Sequence, residues 1–219
     1  MKIFIAFAAL GLFIFSTPAI TEAVELQSNE TQIEVGGALI SKGEAKSFLS
    51  ADAHAKSGYE LAITHALTDK LLVRYNLGSF RSEDKEMLGM VSYSKTKLND
   101  FNFIYKASDN FDIIAGYENN KFTFGQAVEP ATKASFHFGF DIHKKLNDKT
   151  LLYAAYIKGR DSSLSNIGIK YDFTKNNMLS LSYAKRKIND VDLNINNFNI
   201  HTKADYTLSG LLLMYGMKI

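Results

Sequence analysis

Apolar and polar residues alternate with a period of two through almost all of the chain after its first two dozen residues. Between Ala134 and Ile142, Phe136, Phe138, Phe140 and Ile142 share one face, while Ser135, His137, Gly139, Asp141 and His143 take the other. The same alternation places Leu71, Val73, Tyr75 and Leu77 on one face, then Phe101, Phe103 and Tyr105, then Phe111, Ile113, Ala115 and Tyr117, and later Ile167, Ile169, Tyr171 and Phe173. Successive side chains point to opposite sides of a strand, so this pattern predicts β-strands with one apolar face. A helix would need apolar residues three and four apart, and these stretches lack that spacing.

Short polar turns punctuate the strands: Thr68-Asp69-Lys70, Ser108-Asp109-Asn110, Asn147-Asp148-Lys149 and Lys175-Asn176-Asn177. Asp and Asn suit such turns because their side chains bond the local backbone and tolerate left-handed conformations. Each turn is followed by an alternating run that reaches a tyrosine: Tyr75, Tyr117, Tyr153 and Tyr183. Longer polar segments, at 42–57, 82–96, 123–132, 160–162 and 189–203, separate the hairpins at the other end. Ten strands result, at 31–41, 57–67, 71–81, 97–107, 111–122, 132–146, 150–159, 163–174, 178–188 and 204–219. Twelve is the alternative, if Met87–Tyr93 and a turn at Leu98-Asn99-Asp100 are both used. It leaves two strands shorter than the roughly 9–11 residues a membrane strand needs. Met87–Tyr93 is therefore expected to extend a hairpin beyond the membrane.

The first residues carry a different signal. Lys2 precedes an apolar run from Ile3 to Phe15, followed by small residues at Ser16–Ala19 and Thr21–Ala23. That is the layout of a secretory signal peptide. The expected division is 1–23 signal peptide, cleaved after Ala23 with Ala19 as the second choice, and 24–219 barrel. No later segment has the ~18 consecutive apolar residues of a membrane helix.

An antiparallel sheet with one apolar face either packs on a core or faces lipid. Short turns at one end, longer loops at the other and apolar stripes with no helix to cover them favour a closed sheet in lipid, because unpaired backbone groups are too costly there. A soluble sandwich is the alternative. The expected fold is all-β, an antiparallel up-and-down transmembrane β-barrel of ten strands.

The chain ends Leu211-Leu212-Leu213-Met214-Tyr215-Gly216-Met217-Lys218-Ile219, with Tyr215, Met217 and Ile219 on one face. This resembles the terminal strand of bacterial outer-membrane proteins, in which alternating apolar residues and a final aromatic guide assembly. Here Ile219 stands where that pattern has Phe. The run Tyr171-Asp172-Phe173-Thr174-Lys175-Asn176-Asn177-Met178-Leu179-Ser180-Leu181-Ser182-Tyr183 also resembles the hairpins of porin-like outer-membrane barrels. The resemblance implies a Gram-negative outer membrane, with its lipid, lipopolysaccharide and barrel-assembly machinery as partners. It makes Tyr215, Met217 and Ile219 the expected assembly signal.

Composition narrows the chemistry. A formal net charge of +2 gives no reason to expect nucleic acid as a partner, and the absence of cysteine excludes thiolate metal sites and cysteine nucleophiles. The expected lumen residues are Glu60, Arg74, Lys106, Asp112, Glu118, His137, Asp141, His143, Lys158, Lys170, Asp172 and Arg186. Their balanced signs suit either a polar channel for small hydrophilic solutes or an internal ion-pair network filling a narrow barrel. His137 and Asp141 lie about 13 Å apart along an extended strand, too far to share a metal ion. Ser135 and His137, about 7 Å apart, are too distant for a nucleophile–base pair. No catalytic residue, metal or cofactor is therefore expected. His65 falls on the apolar face near a strand end, and Lys185, Arg186 and Lys187 are expected at a solvated strand end or against lipopolysaccharide phosphates. Three functions follow in order: a small porin-like or structural barrel, an adhesion barrel acting through its loops, and a lipid- or peptide-modifying enzyme.

Overall fold

The computed structural model describes residues 25–46, 50–87, 90–124, 128–195 and 200–219. The predicted signal peptide lies outside these residues. The strands are β1 (Thr31–Lys46), β2 (Ser50–Ala66), β3 (Leu71–Ser82), β4 (Lys85–Met87), β5 (Met90–Ser92), β6 (Ser94–Ser108), β7 (Phe111–Phe124), β8 (Val128–Asn147), β9 (Thr150–Gly159), β10 (Ser162–Asp172), β11 (Asn177–Ile195) and β12 (Ile200–Lys218). Ten of them close into one antiparallel barrel, each paired with its chain neighbour in the barrel, with β12 completing the ring on β1. β4 and β5 form a separate two-stranded ribbon between β3 and β6. The segment that made the count ambiguous is thus a hairpin outside the wall, and the barrel has ten strands.

Closure follows from the pattern. Each strand carries an apolar outer face and backbone groups that need partners on both edges, and only a ring satisfies every edge. β12 pairs with β1 from Gln32 opposite Lys218 to Lys46 opposite Asp205, with one shift of register between Ala38 and Ile40. The terminal residue is held as well: the Ile219 amide donates to the Thr31 carbonyl at 2.8 Å, and the Thr31 amide returns the bond at 3.0 Å.

One expectation about strand length is corrected. The segments 42–57, 123–132 and 189–203 are mostly ladder, because β1, β2, β7, β8, β11 and β12 run well past their expected ends. Polar side chains mark where a strand leaves lipid, but they do not interrupt backbone pairing. β9 and β10 are short, with 10 and 11 residues, while their neighbours β8 and β11 have 20 and 19. The tall strands meet directly above the short hairpin: Lys133 pairs with Asp161 at 2.9 Å and donates to the Asp190 carbonyl at 3.1 Å, and Asn194 donates to Glu129 at 2.8 Å. A bulge between Ile188 and Val191, with Asp190 at φ 54°, changes the β11–β12 register at this height. A bulged strand bends, which suits a hairpin crossing the mouth.

The outer surface is apolar all round. Val35, Ile63, Phe103, Ile113, Phe138, Ile142, Ile167, Leu181 and Leu213 are all exposed. Tyr105, Tyr171 and Tyr215 lie near the short-turn ends of their strands, and Tyr59, Tyr117 and Tyr156 lie farther along. Aromatic side chains gather at the two boundaries of a bilayer, where a ring and a hydroxyl are both satisfied. A contiguous apolar belt of this extent has no stable exposure to water.

Candidate functional site: the filled lumen

The alternation that sends apolar residues outward sends polar ones into the barrel. Glu60, Arg74, Asp112, Glu118, His137, Asp141, Lys170 and Arg186 are buried inside it, and Lys106, His143 and Asp172 sit on the same inward face with partial exposure. Lys158 does not join them. β9 buries Leu151, Tyr153, Ala155 and Ile157, leaving Lys158 exposed on the outer face near the strand end. The strand Thr-Leu-Leu-Tyr-Ala-Ala-Tyr-Ile-Lys-Gly is apolar on both faces, so alternation alone cannot set its phase. Tyr153 is accordingly inside, whereas Tyr75, Tyr117 and Tyr183 face out. Of the two places expected for Arg186, the structure has the lumen and not the solvated strand end, while Lys185 and Lys187 on either side of it are exposed. His65 is half-buried and shares a 2.9 Å hydrogen bond with the Thr31 hydroxyl.

Two ion-pair centres cross the lumen. Arg186 donates to Asp100 at 2.7 and 3.3 Å, to Glu118 at 3.1 Å and to Asn120 at 3.4 Å. The Ser162 hydroxyl donates to the other oxygen of Glu118. These residues come from β6, β7, β10 and β11, so one guanidinium ties together opposite parts of the wall. In the second centre Arg74 pairs with Glu34 at 2.7 Å and donates to Asn76 at 2.9 Å and Thr64 at 3.3 Å. His137 on β8 and Asn102 on β6 share a 2.6 Å hydrogen bond. A single arginine with several acceptors is the arrangement a planar, permanently charged donor fork favours.

Apolar side chains fill the space around these centres. Phe122 stacks on Tyr206 at 5.2 Å between ring centroids, and Phe80 packs on Leu98 toward the long-hairpin end. Toward the short-turn end Leu26, Ala66, Leu72, Ile104 and Ile114 form a cluster. Leu26 belongs to the segment that precedes β1, and it enters the barrel mouth. Lys106 donates to the Leu26 carbonyl at 2.7 Å, Lys218 to the Glu25 carbonyl at 2.9 Å, and the Ser28 amide to Asp69 at 3.0 Å. The Glu25 carboxylate pairs with Lys145 at 2.9 Å. Partial burial pushes the Glu25 pKa up, but the Lys145 hydrogen bond and the charges of Lys170, Lys145 and Lys218 outweigh it and hold the group below its ordinary 4.5. Outside this segment the mouth opens as a vestibule of about 1130 Å³, bordered by Glu25, Asp69, Lys106, Asp112, His143 and Lys218.

Asp112, Asp141 and His143 form a third group beside that vestibule. Asp112 lies directly across from Asp141 in the β7–β8 ladder, and His143 is two residues along the same face. The His143 Nδ1 lies 2.9 Å from Asp141 and 4.0 Å from Asp112. Spacing along a single strand excluded a shared ion for His137 and Asp141; the cross-strand neighbour was not visible in that spacing. Sequence reasoning also missed Glu34, Asp100 and Asn102, although each occupies the inward parity of its strand.

No family model matches the chain, and no curated protein does. Solved structures do. The outer-membrane protease OmpT of Escherichia coli is similar with a TM-score of 0.54 at 11% identity, over 90% of this chain and 98% of that one. The attachment invasion locus protein Ail of Yersinia pestis aligns over 88% of this chain and 100% of its own, with a TM-score of 0.43 at 11% identity. OprG of Pseudomonas aeruginosa aligns over 88% and 97%, with a TM-score of 0.42 at 12% identity. With the closed ring, the apolar belt and the inward polar face, the likeness to OmpT defines the class by its fold: the chain is an antiparallel β-barrel of the outer-membrane type. The barrel fold and its apolar belt fit a wall that meets the lipid of an outer membrane.

Proposed function

We propose that this protein is a non-conducting outer-membrane barrel that acts at its outer end through its long hairpins, and is not an open porin. The observation that carries the reading is the lumen. Arg186 is buried among acceptors on β6 and β7 across the barrel and Arg74 among acceptors on β1, β2 and β3, and Phe80, Phe122 and Tyr206 occupy the space toward the long-hairpin end. An aqueous channel would leave such charges solvated; here each arginine is buried against a carboxylate of the wall. A ten-stranded barrel is also narrow enough for side chains to fill. The long hairpins β1–β2, β7–β8 and β11–β12 rise beyond the short β9–β10 pair, and β8, β11 and β12 carry exposed polar side chains such as Glu129, Asp192 and Lys203.

Single-channel recording in planar bilayers tests this. The mature protein, folded as shown by a boiling-dependent gel shift, should give no discrete conductance steps. A variant with Arg186, Asp100, Phe122 and Tyr206 all changed to Ala serves as the opened control. Reproducible steps from the unmodified barrel would overturn the reading and return it to a solute channel.

A further inference from the structure

We propose that Asp112, Asp141 and His143 bind one divalent transition-metal ion, of the zinc type, at the inner wall beside the short-turn vestibule. The three side chains offer two carboxylate oxygens and one imidazole nitrogen, all within 4.8 Å of one another. Zinc sits about 2.0–2.2 Å from such donors, which places tetrahedral ligands about 3.4 Å apart. The present separations of 2.9 and 4.0 Å bracket that value, so small side-chain rotations suffice. A mixed nitrogen and oxygen set favours zinc or a neighbouring transition ion over magnesium or calcium, which take oxygen ligands.

A second observation points to a missing ligand. Asp112 and Asp141 are 4% and 1% exposed, and each keeps one buried carboxylate oxygen, Oδ1 of Asp112 and Oδ2 of Asp141, with no hydrogen-bond donor. Buried carboxylate oxygens are costly to leave unpaired. Two carboxylates directly opposite on adjacent strands also repel. Nearby Lys106 donates to the Leu26 carbonyl at 2.7 Å and makes no hydrogen bond to either of these oxygens. A divalent cation would offset the repulsion, and rotation of each carboxylate about its Cβ–Cγ bond would turn the unpartnered oxygen toward it. Access exists, since Asp112 and His143 border the vestibule. With three protein donors, water would complete the shell, as in open rather than closed zinc sites. The ion would tie β7 to β8 below the Arg186 centre, and the proposal holds whether or not the barrel conducts.

The test uses tag-free mature protein folded in detergent, with ZnCl₂ followed by calorimetry and CoCl₂ followed by visible absorption. The expected result is one ion per barrel, a cobalt d–d band, and no comparable binding of MgCl₂. H143A and D141N should each weaken zinc by about tenfold or more, with the gel shift intact, and should abolish the cobalt band. H201A, at an exposed histidine far from the site, should bind as the unmodified protein does. Absence of binding, or binding unchanged in both H143A and D141N, would overturn the proposal. If either variant fails to fold, D112N supplies the same comparison, and persistence of the cobalt band in D112N would count against the site.

Discussion

Replacing Arg186 with Met should cost about 3–5 kcal/mol of folding stability, the loss expected when one member of a buried ion-pair centre is removed. The methionine keeps much of the side chain's volume and discards its charge. Arg186 makes four side-chain hydrogen bonds, three of them to the carboxylates of Asp100 and Glu118. Without it, two buried carboxylates face each other, with Ser162 and Asn120 as the neighbouring donors to Glu118. Hydrogen bonds to charged groups contribute about 1.5–3 kcal/mol each, but they share one donor, so their sum overstates the loss. Most of the cost is the stranded negative charge. It follows that R186M combined with D100N and E118Q should recover most of the stability. Equilibrium urea unfolding in lipid vesicles measures this, with folded fraction read from gel mobility and far-ultraviolet circular dichroism, since the chain has no tryptophan. A loss below about 1 kcal/mol for R186M, or no recovery in the triple variant, would refute the ion-pair account of the lumen.

Three further outcomes are expected. An added Cβ at Gly116 would come within 2.5 Å of both Asn102 Oδ1 and His137 Nε2, so G116V should lose about 1–3 kcal/mol in the same unfolding assay. Leu181 faces out between Ile169 and Leu213 in the ladder, so L181R should destabilise the barrel in vesicles by about 2–4 kcal/mol, as arginine does at the middle of the lipid face. Glu25 has its pKa held below 4.5 in the folded state, so its contribution to docking of the N-terminal segment is complete above that pH and lost as pH falls through the lowered value. An environment-sensitive dye on S28C should therefore report release of the segment in acid, and E25Q should remove that pH dependence.

The architecture was legible because two physical constraints act on every strand. One face must suit lipid, which wrote the alternation of Phe136, Phe138 and Phe140; each short hairpin needs turn residues, which wrote Asp69, Asp109, Asp148 and Asn176. Where a constraint lapses, so does the signal. β9 is apolar on both faces because part of this lumen is apolar, so Tyr153 and Lys158 could not be phased. Beyond the lipid nothing requires alternation, so the upper ends of β1, β2, β8 and β11 looked like loops although their backbones stay paired. Which inward residues meet depends on register between strands. Asp112 opposite Asp141, and Arg186 reaching Asp100 across the barrel, follow from closure and shear, which no single strand encodes.

The account turns on which side of the wall each residue of a strand occupies. The chain has no cysteine, so single cysteines can be placed at 178 to 184 without background and spin-labelled in vesicles. Accessibility to oxygen, which dissolves in lipid, should be high at 179, 181 and 183 and low at 180, 182 and 184, with a water-soluble nickel chelate excluded from both sets. Equal oxygen accessibility at successive positions, or nickel access to 179, 181 and 183, would contradict a lipid-facing barrel with a filled lumen.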